Sequence, residues 1–226
     1  MDIKEELNET VKECDQPAVS QAVINRLPRY YRYLRELISK DILRISSSEL
    51  SKLMGVTASQ IRQDLNCFGG FGQQGYGYNV KNLFNKIGEI LGVNERFSAV
   101  IIGAGNLGSA LAGATTFNNR GVNLKALFDV DPDLVGKKIN GFTVLHWDTF
   151  GEYAKKEDVD IVVITVPKDS AEFVAHKVRK CGIKGIWNFT GVELKIQDIP
   201  VKNVHMGDIL MTLCYEMRKN ENGDKN

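Results

Sequence analysis

Three glycines, Gly103, Gly105 and Gly108, stand at G-x-G-x-x-G spacing within V-I-I-G-A-G-N-L-G, Val100 to Gly108. The chemistry open to them is recognition of a diphosphate. The first glycine makes a tight turn, the second lets the backbone approach a pyrophosphate, and the third allows close packing of a helix on a strand. An apolar run precedes the motif and a helix-forming stretch, Ser109 to Ala112, follows it. The bare N–H groups around Ala104, Asn106 and Leu107 would then face the ligand's negative charge. A second apolar run, Leu124 to Phe128, ends in Asp129. An acid about 20 residues beyond the last glycine is where a ribose-binding carboxylate belongs. Asp129 favours a free 2′-hydroxyl over a 2′-phosphate, and so NAD over NADP. It does not by itself separate NAD from other adenosine ligands such as coenzyme A, and the same loop could serve packing alone.

A second set of residues has the types that read DNA. Ser46 with Glu49, and Thr57 with Gln60, form two capping-box patterns, and Met54-Gly55-Val56 lies between them as a glycine turn. Helix, short turn, helix is the plan in which the second helix lies in the major groove. Ser46, Thr57, Ala58, Ser59, Arg62 and Gln63 are therefore the candidate DNA-facing positions of these helices. Arg62 can bond guanine through two donors, while Gln63 and Ser59 suit adenine or phosphate. The alternative is a plain helical hairpin. Gly69 to Asn79, G-G-F-G-Q-Q-G-Y-G-Y-N, follows directly and interleaves glycines with Phe71, Tyr76 and Tyr78. It reads as a β-hairpin wing with Gln73, Gln74, Gly75 and Tyr76 near the tip, against sugar-phosphate or the minor groove. A flexible linker is the alternative, although linkers are ordinarily polar and unanchored. Residues 21–81 carry nine basic and four acidic side chains, in a chain of net charge +1. A local excess of this kind can bind a polyanion whatever the total.

The elements that must position these residues divide the chain into three. Residues 1–92 hold an acidic arm, the DNA-reading helices, the wing and a connecting helix. Residues 93–206 hold the nucleotide-binding sheet, and 207–226 a terminal helix and polar tail. Ile24, Leu27, Tyr31, Leu34 and Ile38 recur at helical steps, and Pro28 should kink or restart that helix. Arg26, Arg29, Arg32 and Arg35 follow a three-residue step around its outer side, either as a solvated face or as phosphate or interdomain contacts. Asp160 to Pro167 and Gly185 to Thr190 read as further strands, with Ala171 to Cys181 a helix between them. Ligands sit at the C-terminal ends of strands in parallel sheets. That rule places Val130 beside the adenosine ribose, and Thr165, Val166, Pro167, Asn188, Phe189 and Thr190 around the nicotinamide half. Asp208 to Arg218 is amphipathic and must cover something apolar.

At 226 residues and 43% hydrophobic content, the composition is that of a globular protein. No apolar run reaches the roughly 18 residues needed to cross a bilayer, and the acidic start is unlike a signal peptide, so a cytoplasmic location is expected. Cys14, Cys67, Cys181 and Cys214 are too scattered for a zinc site or a disulfide framework. Of His146, His176 and His205, only His205 follows a plausible strand, which leaves a hydride-transfer enzyme without a clear acid or base. No catalytic residue and no metal ligand is assigned. A small dehydrogenase and a non-redox adenine-nucleotide or coenzyme A sensor are the competing readings.

The motifs I-R-Q-D-L (Ile61 to Leu65), F-G-G-F-G-Q-Q-G-Y-G-Y (Phe68 to Tyr78), G-A-G-N-L-G, F-D-V-D-P (Phe128 to Pro132), T-V-P (Thr165 to Pro167) and N-F (Asn188-Phe189) occur in this order. Together they resemble the Rex family of redox-sensing transcriptional repressors, over about Val23 to Tyr215. The resemblance implies an α/β protein with an N-terminal winged helix-turn-helix domain, a Rossmann domain binding NADH or NAD⁺, and a C-terminal helix exchanged between the subunits of a homodimer on palindromic operator DNA. It makes Arg62 the DNA-contact arginine, the three glycines the pyrophosphate loop, and Asp129 the ribose ligand. Four positions depart from the family pattern. Gln63 and Gln74 stand where relatives often carry basic residues, which implies weaker and less salt-sensitive DNA binding. Ala114 and His205 stand where relatives carry a tyrosine and an aspartate that take part in the NADH-driven switch.

Overall fold

The structure is a computed structural model that describes residues 19–69, 72–73, 76–114, 117 and 120–223. The expectation for the acidic arm before Val19 lies outside these residues, as do those for Gln74 and Gly75. The chain divides into two compact units, with the boundary between Gly92 and Val93.

In the first unit, helix α1 (Gln21–Ser39) runs through Pro28 without interruption. Leu27, Tyr30 and Leu34 are wholly buried on either side of the proline, so packing offsets the missing hydrogen bond. The buried stripe is Val23, Leu27, Tyr30, Leu34 and Leu37. Its spacing is the expected one, but its axis is turned by about one residue. Tyr31 falls on the flank, stacked on Phe84 at 4.3 Å, and Ile38 sits at the edge of the solvent.

Next come β1 (Arg44–Ile45), α2 (Ser47–Met54) and α3 (Ala58–Asn66). The α2 capping box is complete: Ser46 Oγ accepts the Glu49 N–H, and the Glu49 carboxylate accepts the Ser46 N–H. Gly55, at φ 64°, ends α2 in the left-handed conformation that makes the turn. Thr57 caps α3, but the second box is only half made, because Gln60 directs its amide to Asp64 and not back to the cap. Strands β2 (Gly72–Gln73) and β3 (Gly77–Asn79) form an antiparallel hairpin, and β3 also pairs with β1. A hairpin joined to a helix-turn-helix is a wing, not a linker. A Cβ on Gly77 would lie 2.7 Å from the Ile45 carbonyl oxygen, so this crossing requires glycine. Helix α4 (Val80–Ile90), capped by Asn79, closes the core with Val80, Leu83 and Ile87.

The second unit is a parallel sheet covered on both faces. Its strands are β4 (Phe97–Ile102), β5 (Val122–Asp129), β6 (Lys138–Ile139), β7 (Phe142–His146), β8 (Ile161–Ile164), β9 (Gly185–Asn188) and β10 (Val201–Asn203). Their spatial order is β10-β9-β8-β4-β5-β7-β6, with only the edge strand β6 antiparallel. The chain reverses its direction of travel across the sheet between β4 and β8, the crevice where such folds bind ligands. Alternate residues of β4 serve opposite layers. Val100 and Ile102 pack with α6 (Phe150–Lys156) and α7 (Lys168–Arg179), while Ile101 packs with Ala112 of α5 (Asn106–Gly113). The terminal helix α8 (Met206–Gly223) leaves every side chain from Met206 to Asn220 exposed, including Ile209, Leu210, Leu213 and Met217. No helix among the described residues is long and apolar enough to cross a membrane.

One buried carboxylate ties α3 to α1. Asp64 is inaccessible to solvent and accepts both Arg26 donors at 2.7 Å, the Tyr30 hydroxyl at 2.9 Å and the Gln60 amide at 2.8 Å. Burial alone would raise its pKa, but the bonds from Arg26, Gln60 and Tyr30 outweigh burial and hold it below the ordinary carboxylate value. Asp64→Ala strands a charged arginine and should lower stability at pH 7 by about 3–5 kcal/mol in urea unfolding. Because the folded-state pKa is depressed, this contribution is full at neutral pH and is lost as pH falls through that value. The gap between wild type and variant should therefore narrow below about pH 4. A gap independent of pH would contradict the assignment.

Candidate functional site

The glycine loop joins β4 to α5, and each glycine has a separate geometric requirement. Gly103 has φ +100°, and a Cβ there would sit 2.9 Å from the Thr165 carbonyl. Gly108 packs so closely that a Cβ would overlap the Gly103 carbonyl oxygen, at 1.9 Å. Nothing lies within 4 Å of the corresponding position on Gly105, so that face of the loop is open. The loop is fastened from two sides. Thr165 Oγ1 donates towards the Gly103 and Ile102 carbonyls, and Asp129 accepts the Ala104 N–H at 2.6 Å. The other Asp129 oxygen accepts the N–H groups of Val130 and Asp131. A carboxylate offers about four acceptor positions. Three are used by the backbone, and the remaining one can take a sugar hydroxyl.

A cavity of about 620 Å³ opens beside this loop, lined in part by Gly103, Gly105, Asp129, Val130, Thr165, Val166 and Pro167. Ala104, Asn106, Leu107 and Gly108 build the loop and helix start without lining the cavity. Asn188, Phe189 and Thr190 also lie outside it. The Asn188 amide donates to the Val192 carbonyl and to Asn203, and its oxygen accepts from both the Thr190 N–H and hydroxyl. Asn188 and Thr190 thus fold the segment after β9, and Phe189 packs on Trp187 at 4.7 Å. The sequence reading missed Trp147, Ser170, Phe173 and Val174, which line the cavity from the end of β7 and from α7. The rule that ligands sit at strand ends could have reached Trp147, directly after β7. The α7 residues carry no motif.

In the first unit, Ser59, Arg62 and Gln63 project from α3 into solvent, and Ala58 is half-buried. Arg62 is the single basic residue of α3 and bonds Ser47 Oγ at 3.0 Å, which holds it towards the start of α2. Ser46 and Thr57 spend their hydroxyls on capping. Tyr76 is exposed beside the wing, and Arg44 donates to its carbonyl with the guanidinium 6.0 Å from the ring centre. Arg44 was not among the candidate DNA residues; it lies on β1, outside both motifs. Gln73 belongs to β2.

Residues 18–66 match the family model "Putative DNA-binding protein N-terminus", and residues 94–192 match "CoA binding domain". The redox-sensing transcriptional repressor Rex of Thermoanaerobacter sp. strain X514 is 51% identical over 204 residues, 90% of this chain and 91% of that protein. The Rex repressor of Clostridium botulinum strain Hall is 52% identical, over 90% of this chain and 97% of its own. The chain belongs to the Rex family. Two crystal structures of the Rex-family repressor RSP superpose with TM-scores of 0.85. One holds β-NAD⁺ and operator DNA, at 50% identity over 92% of this chain and 96% of that one. The other holds β-NADH, at 47% identity over 92% and 98%.

His205 pairs with Glu193 at 3.0 Å, and that bond, the first of several causes, lowers the Glu193 pKa. Ala114 is the residue that ends α5. Among the described residues there is no cluster of three or more His, Cys, Asp or Glu placed to hold a metal. The glycine geometry predicts opposite outcomes for two similar changes in thermal unfolding. Gly105→Ala should leave the melting temperature of this Rex protein within about 2 °C, whereas Gly108→Ala should lower it by about 5 °C or more through overpacking. Equal shifts would contradict the division of roles.

Proposed function

We propose that this Rex-family chain is a redox-sensing transcriptional repressor, in which a dimer binds operator DNA and is released when NADH occupies the second unit. The observation that carries this reading is a glycine loop with an open central glycine and a free Asp129 acceptor, in the same chain as a winged helix-turn-helix. Gly103, Gly105 and Gly108 shape the diphosphate floor, and the α5 N–H groups and helix dipole neutralise its charge. Asp129 holds the adenosine ribose and rejects a 2′-phosphate. Val166 and Pro167 supply the apolar side that accepts an uncharged reduced ring more readily than a cationic oxidised one. When bound, NAD(H) supplies the redox signal. The chain contributes recognition and no catalytic group, and its place is the cytoplasm, with the nucleotide pool and the DNA.

On the DNA side, Arg62 reads guanine, Ser59 and Gln63 contact neighbouring bases or phosphate, and the wing around Gln73 to Tyr76 lies against the backbone. The exposed apolar residues of α8 are covered by exchange with a second subunit, which gives the two-fold symmetry of a palindromic site. Moving the dimer from 1:99 to 99:1 would require about 5.5 kcal/mol of differential binding by the nucleotide. A coenzyme A sensor is the second reading, favoured by the description of the family model that matches residues 94–192.

Fluorescence anisotropy on a labelled palindromic duplex tests the proposal. NADH should release the protein, while NAD⁺ and coenzyme A should not; retention at saturating NADH would defeat it. Arg62→Ala should weaken DNA binding by about 10- to 100-fold without altering NADH affinity. Gly105→Ala should bind DNA normally but ignore NADH.

A further inference from the structure

The cavity beside Asp129 continues past the ribose position into a part built from side chains that no nucleotide motif contains. Trp147 forms a fixed wall: it is 7% exposed and stacks on Phe150 at 5.3 Å. Phe173, from α7, lines the same cavity yet remains 63% exposed. A large apolar ring left in water at the rim of an apolar cavity is a surface that a ligand can cover. Val130, directly after Asp129, is a second exposed apolar residue of this rim, at 65%. One turn further along α7, Lys177 places its ammonium 4.9 Å from the centre of Trp147 and 5.9 Å from the centre of Phe173. A cation attracted by both ring faces links the exposed ring to the buried one.

Resting on the nucleotide-sensing reading above, the geometry points to Phe173 as the residue that stacks on the adenine base, with Lys177 as its positioning residue. The adenine lies on the side of Asp129 away from the nicotinamide, and an aromatic plane at an apolar rim matches its shape and chemistry. The adenosine half is identical in NADH and NAD⁺. Phe173 and Lys177 therefore set the nucleotide concentration at which the sensor responds, and leave to other residues the discrimination between redox forms.

Calorimetry on the full chain tests this with four probes: NADH, NAD⁺, AMP and reduced nicotinamide mononucleotide. Phe173→Ala should weaken NADH, NAD⁺ and AMP by one common factor, about tenfold, as expected for losing a base–aromatic stack. The mononucleotide, which lacks adenine, should bind as to wild type, and Phe173→Tyr should restore AMP affinity. Lys177→Met should weaken AMP about threefold alone and add nothing once Phe173 is alanine, since a positioning residue acts only through the ring it holds. An AMP affinity within twofold of wild type in Phe173→Ala, or a changed ratio of NADH to NAD⁺ affinity, would overturn the assignment. If wild type binds AMP but not NADH, the sensing proposal fails while the AMP series still decides the role of Phe173. Binding of neither would overturn both.

Discussion

Everything the second unit can do depends on the carboxylate of Asp129. It stands at the end of β5 and takes the Ala104 N–H from the end of β4, so it fixes the spacing of two strand ends and the shape of the loop between them. A carboxylate on a backbone N–H is a charge-assisted bond, shorter and stronger than a neutral one. It holds the loop in the conformation that leaves Gly105 uncovered. The overlap of Gly108 with the Gly103 carbonyl serves the same purpose from the other side, because only a bare Cα lets α5 start so close to the sheet. The pocket is therefore preorganised by the protein's own hydrogen bonds, and less ordering is left for a ligand to bring about.

The first unit solves its presentation problem with the same device. Arg62 and its neighbours can read a groove only if α3 is rigid, and a nine-residue helix has little stability of its own. Asp64 lies on the side of α3 opposite Arg62, buried against α1, with four hydrogen bonds from three side chains. Arg26, one of four arginines spaced along α1, is consumed in this clamp, and Arg29 is spent on the Met54 carbonyl at the end of α2. Basic residues in this segment are thus divided between holding the DNA-reading element and presenting charge.

The sequence was most legible where one residue type is forced by backbone geometry. The glycine loop, the Asp129 position, the capping box at Ser46 and the turn at Gly55 have few physical alternatives, and the structure builds them. Side-chain networks were less legible. Asp64 lies within a motif and gave no sign that it would draw Arg26 from 38 positions away, because a buried ion pair has no local period. Asn188 and Thr190 sit at a strand end, where a ligand contact was expected, yet they satisfy each other and Asn203 instead. Phe173 was invisible for the same reason, since helix and strand periodicity reports which face is buried and not what that face encloses. The α1 stripe shows the limit of periodicity itself: the three-and-four step was right, but Tyr30 and Leu37, not Tyr31 and Ile38, face the core.

Repression controlled by a nucleotide is a statement about linked equilibria, and linkage is reciprocal: if NADH lowers the affinity for DNA by some factor, DNA must lower the affinity for NADH by the same factor. The most direct test is the dissociation constant of NADH measured with and without saturating operator duplex, alongside the same pair of values for NAD⁺. The account predicts that DNA weakens NADH binding by the factor with which NADH releases DNA, and does not weaken NAD⁺ binding. Equal NADH affinity in the presence and absence of DNA would show that the two units work independently and would contradict the sensor reading.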